Sequence, residues 1–103
     1  MEKAHLNLIK WGLEEGYSVE VYGEEEFLDY AGGNYDEAVE AVEACDGGLI
    51  QLVVPDGDPV ACFRYVFDWD QNPEEIISDW GINEVSDAWD KQYNNLRGCY
   101  REA

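Results

Sequence analysis

The chain has 103 residues, of which 24 are Asp or Glu and 6 are Lys or Arg, giving a formal net charge of -18. Its 46% hydrophobic and 14% aromatic residues predict one folded domain, because disordered acidic segments are poor in aromatics. No stretch approaches the roughly 20 apolar residues that span a bilayer, residues 1–10 lack a signal-peptide pattern, and the Cys spacing predicts free thiols. We therefore expect a cytoplasmic protein whose charge argues against direct binding to nucleic acid or anionic membranes.

The first predicted element is a helix over residues 3–15. Leu6, Ile9 and Leu13 recur at the spacing of one helix face, so they are expected to form its buried stripe. His5 lies in the first turn of this helix. A single histidine at such a position is expected to be a surface or capping residue rather than a catalytic base.

Two strands are predicted after this helix. Residues 17–22 alternate between apolar and polar side chains, which is typical of a half-buried strand. A second strand is predicted over residues 24–30, although three consecutive Glu residues are unusual in a strand. Phe27 is expected to anchor this second strand in the core.

A second helix is predicted over residues 35–45, with Asn34 or Asp36 as its N-cap. Ala38 and Val42 fall on one face, so they are expected to pack inward. The opposite face of the helix carries acidic side chains and is expected to face solvent.

The central feature of the predicted sheet is a hairpin. Residues 49–54 and 60–69 are rich in apolar side chains, and the Asp56-Gly57 turn between them fits a tight connection. Phe63 and Tyr65 are expected to share one face of the second strand, because side chains two residues apart point the same way.

The last predicted elements are a short helical turn over residues 74–80 and a helix from Asn83 to about Leu96. Pro73 supports the helical turn, since Pro is favoured at the first position of a helix. The element order is then α-β-β-α-β-β-α. This order predicts an α+β domain in which helices pack on one face of a small antiparallel sheet of about four strands.

The sequence gives only weak signals for a calcium-binding loop and for a pair of catalytic carboxylates. Residues 68–79 resemble the start of a calcium loop, but Pro73 stands where the loop needs Gly, and Asp79 stands where it normally has Glu. A pair of carboxylates could support acid-base catalysis, yet with 24 acids some pair always looks suitable. The chain has one His and no phosphate-binding loop. We therefore predict no enzyme activity, no metal and no cofactor.

The strongest signal is a one-signed run of charge. Residues 11–63 form a stretch of fifty-three residues without Lys or Arg, and they carry fourteen Asp and Glu. Ordinary solvated surfaces mix both signs. Twelve of these acids are predicted to bind a partner: Glu14, Glu15, Glu20, Glu24, Glu25, Glu26, Asp29, Asp36, Glu37, Glu40, Glu43 and Asp46.

The spacing of these acids suggests what the partner recognises. Glu40 lies one helical turn from both Asp36 and Glu43, which places neighbouring side chains about 5–6 Å apart. Phosphates repeat on a similar scale of several ångströms along nucleic acid, so a folded carboxylate array can resemble its backbone. Exposed aromatic residues such as Tyr22, Tyr30 or Tyr35 could add short-range anchors.

Four segments of the sequence resemble a group of small acidic proteins of tailed bacteriophages. They are His5-Leu6-Asn7, Ser18 to Glu25, Tyr35 to Cys45, and Asn72 to Trp80 with Asn83 and Trp89. The resemblance implies a phage origin and action in the bacterial cytoplasm, and it implies no catalytic residues. By charge alone the chain is also similar to phage DNA mimics, such as anti-restriction and anti-CRISPR proteins.

These observations predict a phage-type inhibitor that mimics nucleic acid and blocks the basic DNA- or RNA-binding site of a host bacterial protein. Three alternatives stay open. The chain could be an acidic protein–protein adaptor, a protein whose charge serves only solubility, or a small enzyme. The two-sided apolar hairpin also permits a homodimer.

Overall fold

The computed structural model describes residues 3–24, 27–67, 76–81 and 83–101, with residues 94–101 as backbone only. These residues form three helices and five strands. In chain order they are α1 (Ala4–Glu14), β1 (Ser18–Tyr22), β2 (Leu28–Gly32), α2 (Tyr35–Glu43), β3 (Gly47–Val53), β4 (Pro59–Val66), β5 (Ile77–Trp80) and α3 (Glu84–Arg101).

The five strands form one sheet in the order β2-β1-β3-β4-β5, and every neighbouring pair is antiparallel. The predicted α+β fold is confirmed, with one strand more than the four expected. The β3–β4 hairpin is also confirmed, and β3 is the middle strand. Its observed bounds differ from the predicted ones by a few residues, as hairpin ends often do.

The predicted helical turn over residues 74–80 is wrong in its described part, because Ile77–Trp80 is strand β5. Pairing with β4 places Trp80 opposite Phe63 and Ile77 opposite Tyr65. The Trp80 ring then lies 6.3 Å from the Phe63 ring. Burial of these apolar side chains against β4 outweighs the local helix signal at Pro73, which lies outside the described residues.

The second strand is displaced from its predicted position, and Phe27 is not a core anchor. Strand β2 begins at Leu28, and the Phe27 side chain is 69% exposed. A bulge shifts the register, so that Tyr30 pairs with Val21 on the buried side of the sheet. Because side chains alternate along a strand, this register makes Tyr30 the inward-facing aromatic residue.

Helix α1 has nearly its predicted bounds but a different buried face. Leu8 and Ile9 are fully buried, whereas Leu6 and Leu13 are only partly buried. At Gly12 of this helix a Cβ atom would stand 2.6 Å from a methyl group of Leu52. The absence of a side chain at Gly12 leaves room for the Leu52 side chain against this face of the helix.

Side-chain caps fix the start of α2 at Asn34, one of the two N-caps that the sequence allowed, and the start of α3 at Asn83, where the last helix was predicted to begin. The Asn34 carboxamide oxygen accepts the N–H of Glu37 at 2.9 Å, and that of Asn83 accepts two N–H groups of the first turn of α3. Helix α2 ends at Glu43, two residues earlier than predicted, whereas α3 continues to Arg101 rather than Leu96.

All three helices pack on one face of the sheet. The core on that side contains Val21, Ile50 and Phe63 from three adjacent strands. The Trp89 ring of α3 packs edge-on against the Phe63 ring at 5.4 Å. The other side, here called the open face, is not covered by any helix among the described residues, so its side chains remain partly exposed.

Candidate functional acidic surface

Five of the predicted acids border one continuous surface, here called the acidic track. Its members come from β2, α2 and two loops: Asp29, Glu37, Glu40, Glu24 and Asp46. One hollow of about 410 Å³ lies between β2 and α2 and contains the first three. A second hollow contains Asp29, Glu24 and Asp46. The two hollows share Asp29, so the carboxylates follow one another without interruption.

The local sequence of α2 explains why its acids face outward. The Asn34 cap fixes the start of the helix, and Ala38 and Val42 are then buried against the sheet. Glu37 and Glu40 consequently point away from the core and are exposed. Within the part of the chain that the structure describes, no Lys or Arg forms a salt bridge with either carboxylate.

The middle of the acidic track is held by a small polar cluster. The Cys45 thiol donates a hydrogen bond to the Asp29 carboxylate, with a sulfur–oxygen distance of 3.4 Å. Burial, followed by this hydrogen bond, raises the pKa of the Cys45 thiol. The thiol therefore remains protonated at neutral pH, and it serves as a donor rather than as a nucleophile.

Tyr65 lies on the inner side of this polar cluster. Its hydroxyl donates to the Tyr22 carbonyl oxygen at 3.3 Å. Burial raises the pKa of Tyr65 well above its ordinary value, and interactions with Cys45 and Asp29 add to the increase. The neutral phenol therefore ties β4 to β1 directly beneath the acidic track.

Three more of the predicted acids lie apart from the acidic track. Glu20 lies on the open face, on the side of the sheet opposite α2, and accepts a hydrogen bond from the Tyr22 hydroxyl at 2.9 Å. Glu14 and Glu15 lie at the end of α1, where Glu14 lines a hollow with Lys10. The predicted surface is thus divided over both sides of the sheet.

Four of the predicted acids remain, and two of these lie outside the described residues. Asp36 is exposed in the first turn of α2. Glu43, at the last turn, is drawn towards α1 by a hydrogen bond with His5. Glu25 and Glu26 lie outside the described residues.

One basic residue stands at the end of the acidic track. Arg64 lies on the open face of β4 and lines a hollow that it shares with Glu24 and Asp46. The sequence run of residues 11–63 suggested acids remote from any base. In the folded protein Arg64, the first basic residue after that run, lines the same hollow as Glu24 and Asp46. The end of the acidic track on α2 is therefore the more strongly negative.

His5 is the polar residue that the sequence assigned wrongly, since it is fully buried rather than at the surface. Its Nε2 atom lies 2.8 Å from a carboxylate oxygen of Glu43, and its ring packs edge-on against Phe67. Its Nδ1 atom has no hydrogen-bond partner among the described residues. Burial lowers the pKa of His5, against the opposing effect of Glu43.

The side chains proposed as aromatic anchors are less exposed than expected. Tyr22, Tyr30 and Tyr35 are all half-buried. The two most exposed large apolar side chains are instead Phe27, at the second hollow of the acidic track, and Leu28, at the start of β2. No pattern in the sequence distinguished them, and Leu28 lies on the open face because of the bulged register of β2.

The described residues contain no group of three or more His, Cys, Asp or Glu side chains placed to hold a metal ion. The calcium-loop resemblance falls largely on residues 68–75, which lie outside the described part of the chain. None of the described helices is long and apolar enough to cross a membrane. Comparison with family models, with curated proteins and with solved structures gives no match.

Proposed function

We propose that this protein is a phage-type inhibitor that acts in the host bacterial cytoplasm. By this proposal it occupies the basic DNA- or RNA-binding site of a host protein, such as a defence nuclease, a restriction or CRISPR complex, or a repair or transcription factor. The observation that supports the proposal is the acidic track, in which five carboxylates from separate elements border one surface.

The placement of these carboxylates suits such a role. Glu37 and Glu40 stand on a capped helix, and Asp29 is held by the Cys45 thiol, so little order has to be gained on binding. A net charge of -18 attracts a basic channel over long distances and accelerates its association. The acidic track would then take the place of the nucleic-acid backbone.

A protein–protein adaptor without nucleic-acid mimicry is the second candidate. The exposed side chains of Phe27 and Leu28, at 69% and 52%, favour it because they offer apolar contacts beside the acids. The two candidates differ in how binding responds to salt. Charge-dominated binding weakens steeply, whereas binding through apolar contacts does not.

The experiment compares two variants with the same change of charge. The track variant removes three carboxylates of the acidic track by the substitutions Asp29→Asn, Glu37→Gln and Glu40→Gln. The matched variant removes three exposed carboxylates elsewhere by the substitutions Asp56→Asn, Asp58→Asn and Glu84→Gln. Glu43 is unchanged in both, because its carboxylate bonds with the buried His5.

Each protein is immobilised and used to capture partners from bacterial lysate, and the captured protein is then challenged with duplex DNA and with RNA. We expect the original protein and the matched variant to capture the same partner, the track variant to lose it, and nucleic acid to release it. Affinity should fall at least about tenfold between about 50 and 200 mM salt. A partner that nucleic acid does not displace, or that the track variant captures equally well, would refute the proposal.

A further inference from the structure

Strand β2 is an unpaired edge of the sheet. It pairs with β1 on one side, and no described element lies beyond it on the other. Its residues are mostly exposed, including Leu28, Asp29 and Ala31. An exposed edge presents a row of backbone N–H and C=O groups that can pair with another extended segment.

The side chains beside this edge differ between the two sides of the sheet. On the helix side, Asp29 at the bulge, together with Glu37 and Glu40 of α2, lines the groove that runs along β2. On the open face, the register places Leu28 beside Tyr22 and Ala31 beside Glu20. The edge is therefore acidic on one side and largely apolar on the other.

This charge pattern discriminates between possible occupants of the edge. A second copy of the chain would bring its own Asp29, Glu37 and Glu40 against the same three acids, and like charges at close range oppose pairing. A segment with Lys or Arg on the helix side would instead place its cations in the groove. The acids that oppose pairing between two copies of β2 thus favour a basic strand.

Alternation along a strand defines the complementary sequence. Successive side chains of an added strand point to opposite faces of the sheet. Those directed towards α2 would meet carboxylates, and those directed towards the open face would meet Leu28 and Ala31. We propose that β2 binds an extended segment in which Lys or Arg alternates with apolar residues, which joins the sheet as a sixth strand.

Binding of a basic strand at β2 does not require nucleic-acid mimicry. A basic extended segment can belong to a nucleic-acid-binding protein or to a protein with another role. The test therefore uses a purified synthetic peptide, so its outcome is independent of whether a host target is captured from lysate.

The probe is a fluorescently labelled peptide of about eight residues in which Lys and Val alternate, a length sufficient to cover a typical strand. Its control has the same composition with all Lys residues before all Val residues. Binding is measured by fluorescence anisotropy at about 50 mM salt, where surface charges are only partly screened. We expect the alternating peptide to bind at least about tenfold more tightly than the block peptide, because only alternation matches both sides of the edge.

Backbone pairing is tested by two further peptides, one N-methylated at every Lys and the other at every Val. Alternate N–H groups of a strand point to opposite edges, so only one of the two peptides has its methyl groups directed at β2. We expect that peptide to lose at least about tenfold in affinity, since its methyl groups remove the N–H donors of several hydrogen bonds to β2. The other should stay within about threefold of the parent peptide.

The protein side of the test uses the track variant and the matched variant defined above. The track variant should bind the alternating peptide about tenfold more weakly, because three exposed charge contacts are removed. The matched variant should bind it normally. Amide hydrogen exchange should slow at Leu28–Gly32 and not at Ile77–Trp80, the opposite edge. Equal affinity for alternating and block peptides, or equal loss with both methylated peptides, would overturn the proposal.

Discussion

The buried histidine makes the stability of the protein depend on pH in a predictable direction. His5 is fully buried, donates from Nε2 to Glu43, and leaves Nδ1 without a partner among the described residues. A proton added at Nδ1 would be a buried donor without an acceptor, and burial accordingly lowers the pKa of His5. The unfolded chain, in which the histidine has a pKa of about 6.5, therefore binds this proton more readily than the native protein.

The contribution of His5 to stability is consequently complete above the unfolded pKa and is lost as the pH falls below it towards the native pKa. Between pH 7.5 and 5.5 the loss is at most about 1.4 kcal/mol, the value reached when the native histidine stays neutral throughout. His5→Gln keeps a donor for Glu43 but cannot titrate. The difference in unfolding free energy between the original protein and this variant should therefore shrink on acidification.

The assay is urea unfolding followed by Trp fluorescence at pH 7.5, 6.5 and 5.5 and constant ionic strength. Comparison with the variant is essential, because acidification also relieves repulsion among the 24 carboxylates in both proteins. A difference in unfolding free energy that stays constant with pH would show that His5 has the same pKa in the folded and unfolded protein. A difference that grows at low pH would show that Glu43 raises the pKa of His5 and would refute the reasoning from burial.

Two other predictions concern the elements that support the acidic track, and both are measured by urea unfolding. Gly48→Ala should destabilise the protein by about 3 kcal/mol or prevent folding, since the added Cβ would overlap the Tyr22 carbonyl oxygen. The control is Gly33→Ala, because a Cβ at Gly33 meets no atom within 4 Å. Equal stability of the two variants would contradict the expected clash. Asn34→Ala should cost about 1 kcal/mol through loss of the α2 cap, whereas Asn34→Asp should retain most of that stability; a negligible effect of Asn34→Ala would show that the cap contributes little.

The features that the sequence predicted correctly depend on neighbours close in the chain. The start of α2 at Asn34 and the start of α3 at Asn83 follow from caps that bond to N–H groups within three residues. The β3–β4 hairpin follows from two apolar runs and the short turn between them. In each case the physical cause lies within one continuous segment, of which Gly47–Val66 is the longest, where local patterns are informative.

The features that the sequence missed depend on contacts between distant segments. His5 is buried where Glu43 of α2 and Phe67 contact it, and both residues lie far from it in the chain. Leu28 lies on the open face because a bulge sets its pairing with Tyr22 of β1. Periodicity within one segment cannot reveal these contacts, because they depend on residues elsewhere in the chain.

The acidic track was likewise predicted only in part from the sequence. The sequence predicted the outward acids of α2, but it did not predict that Asp29 would link them to Glu24 and Asp46. It also placed Glu20 with the others, whereas alternation along β1 directs it to the open face. A count of charges along the chain therefore overestimated how many acids can meet one partner.

The acids of the acidic track contribute little to the stability of the fold. Neither Glu37 nor Glu40 has a salt bridge to Lys or Arg among the described residues, while both stand close to other carboxylates. Their neutralisation removes repulsion and also removes a favourable interaction of Glu37 with the N-terminal end of the α2 dipole, and it leaves the core of Val21, Ile50 and Phe63 intact. Asn at position 29 still offers an oxygen to the Cys45 thiol. The track variant should thus be about as stable as the original protein, so a loss of binding by it reports the surface and not the fold.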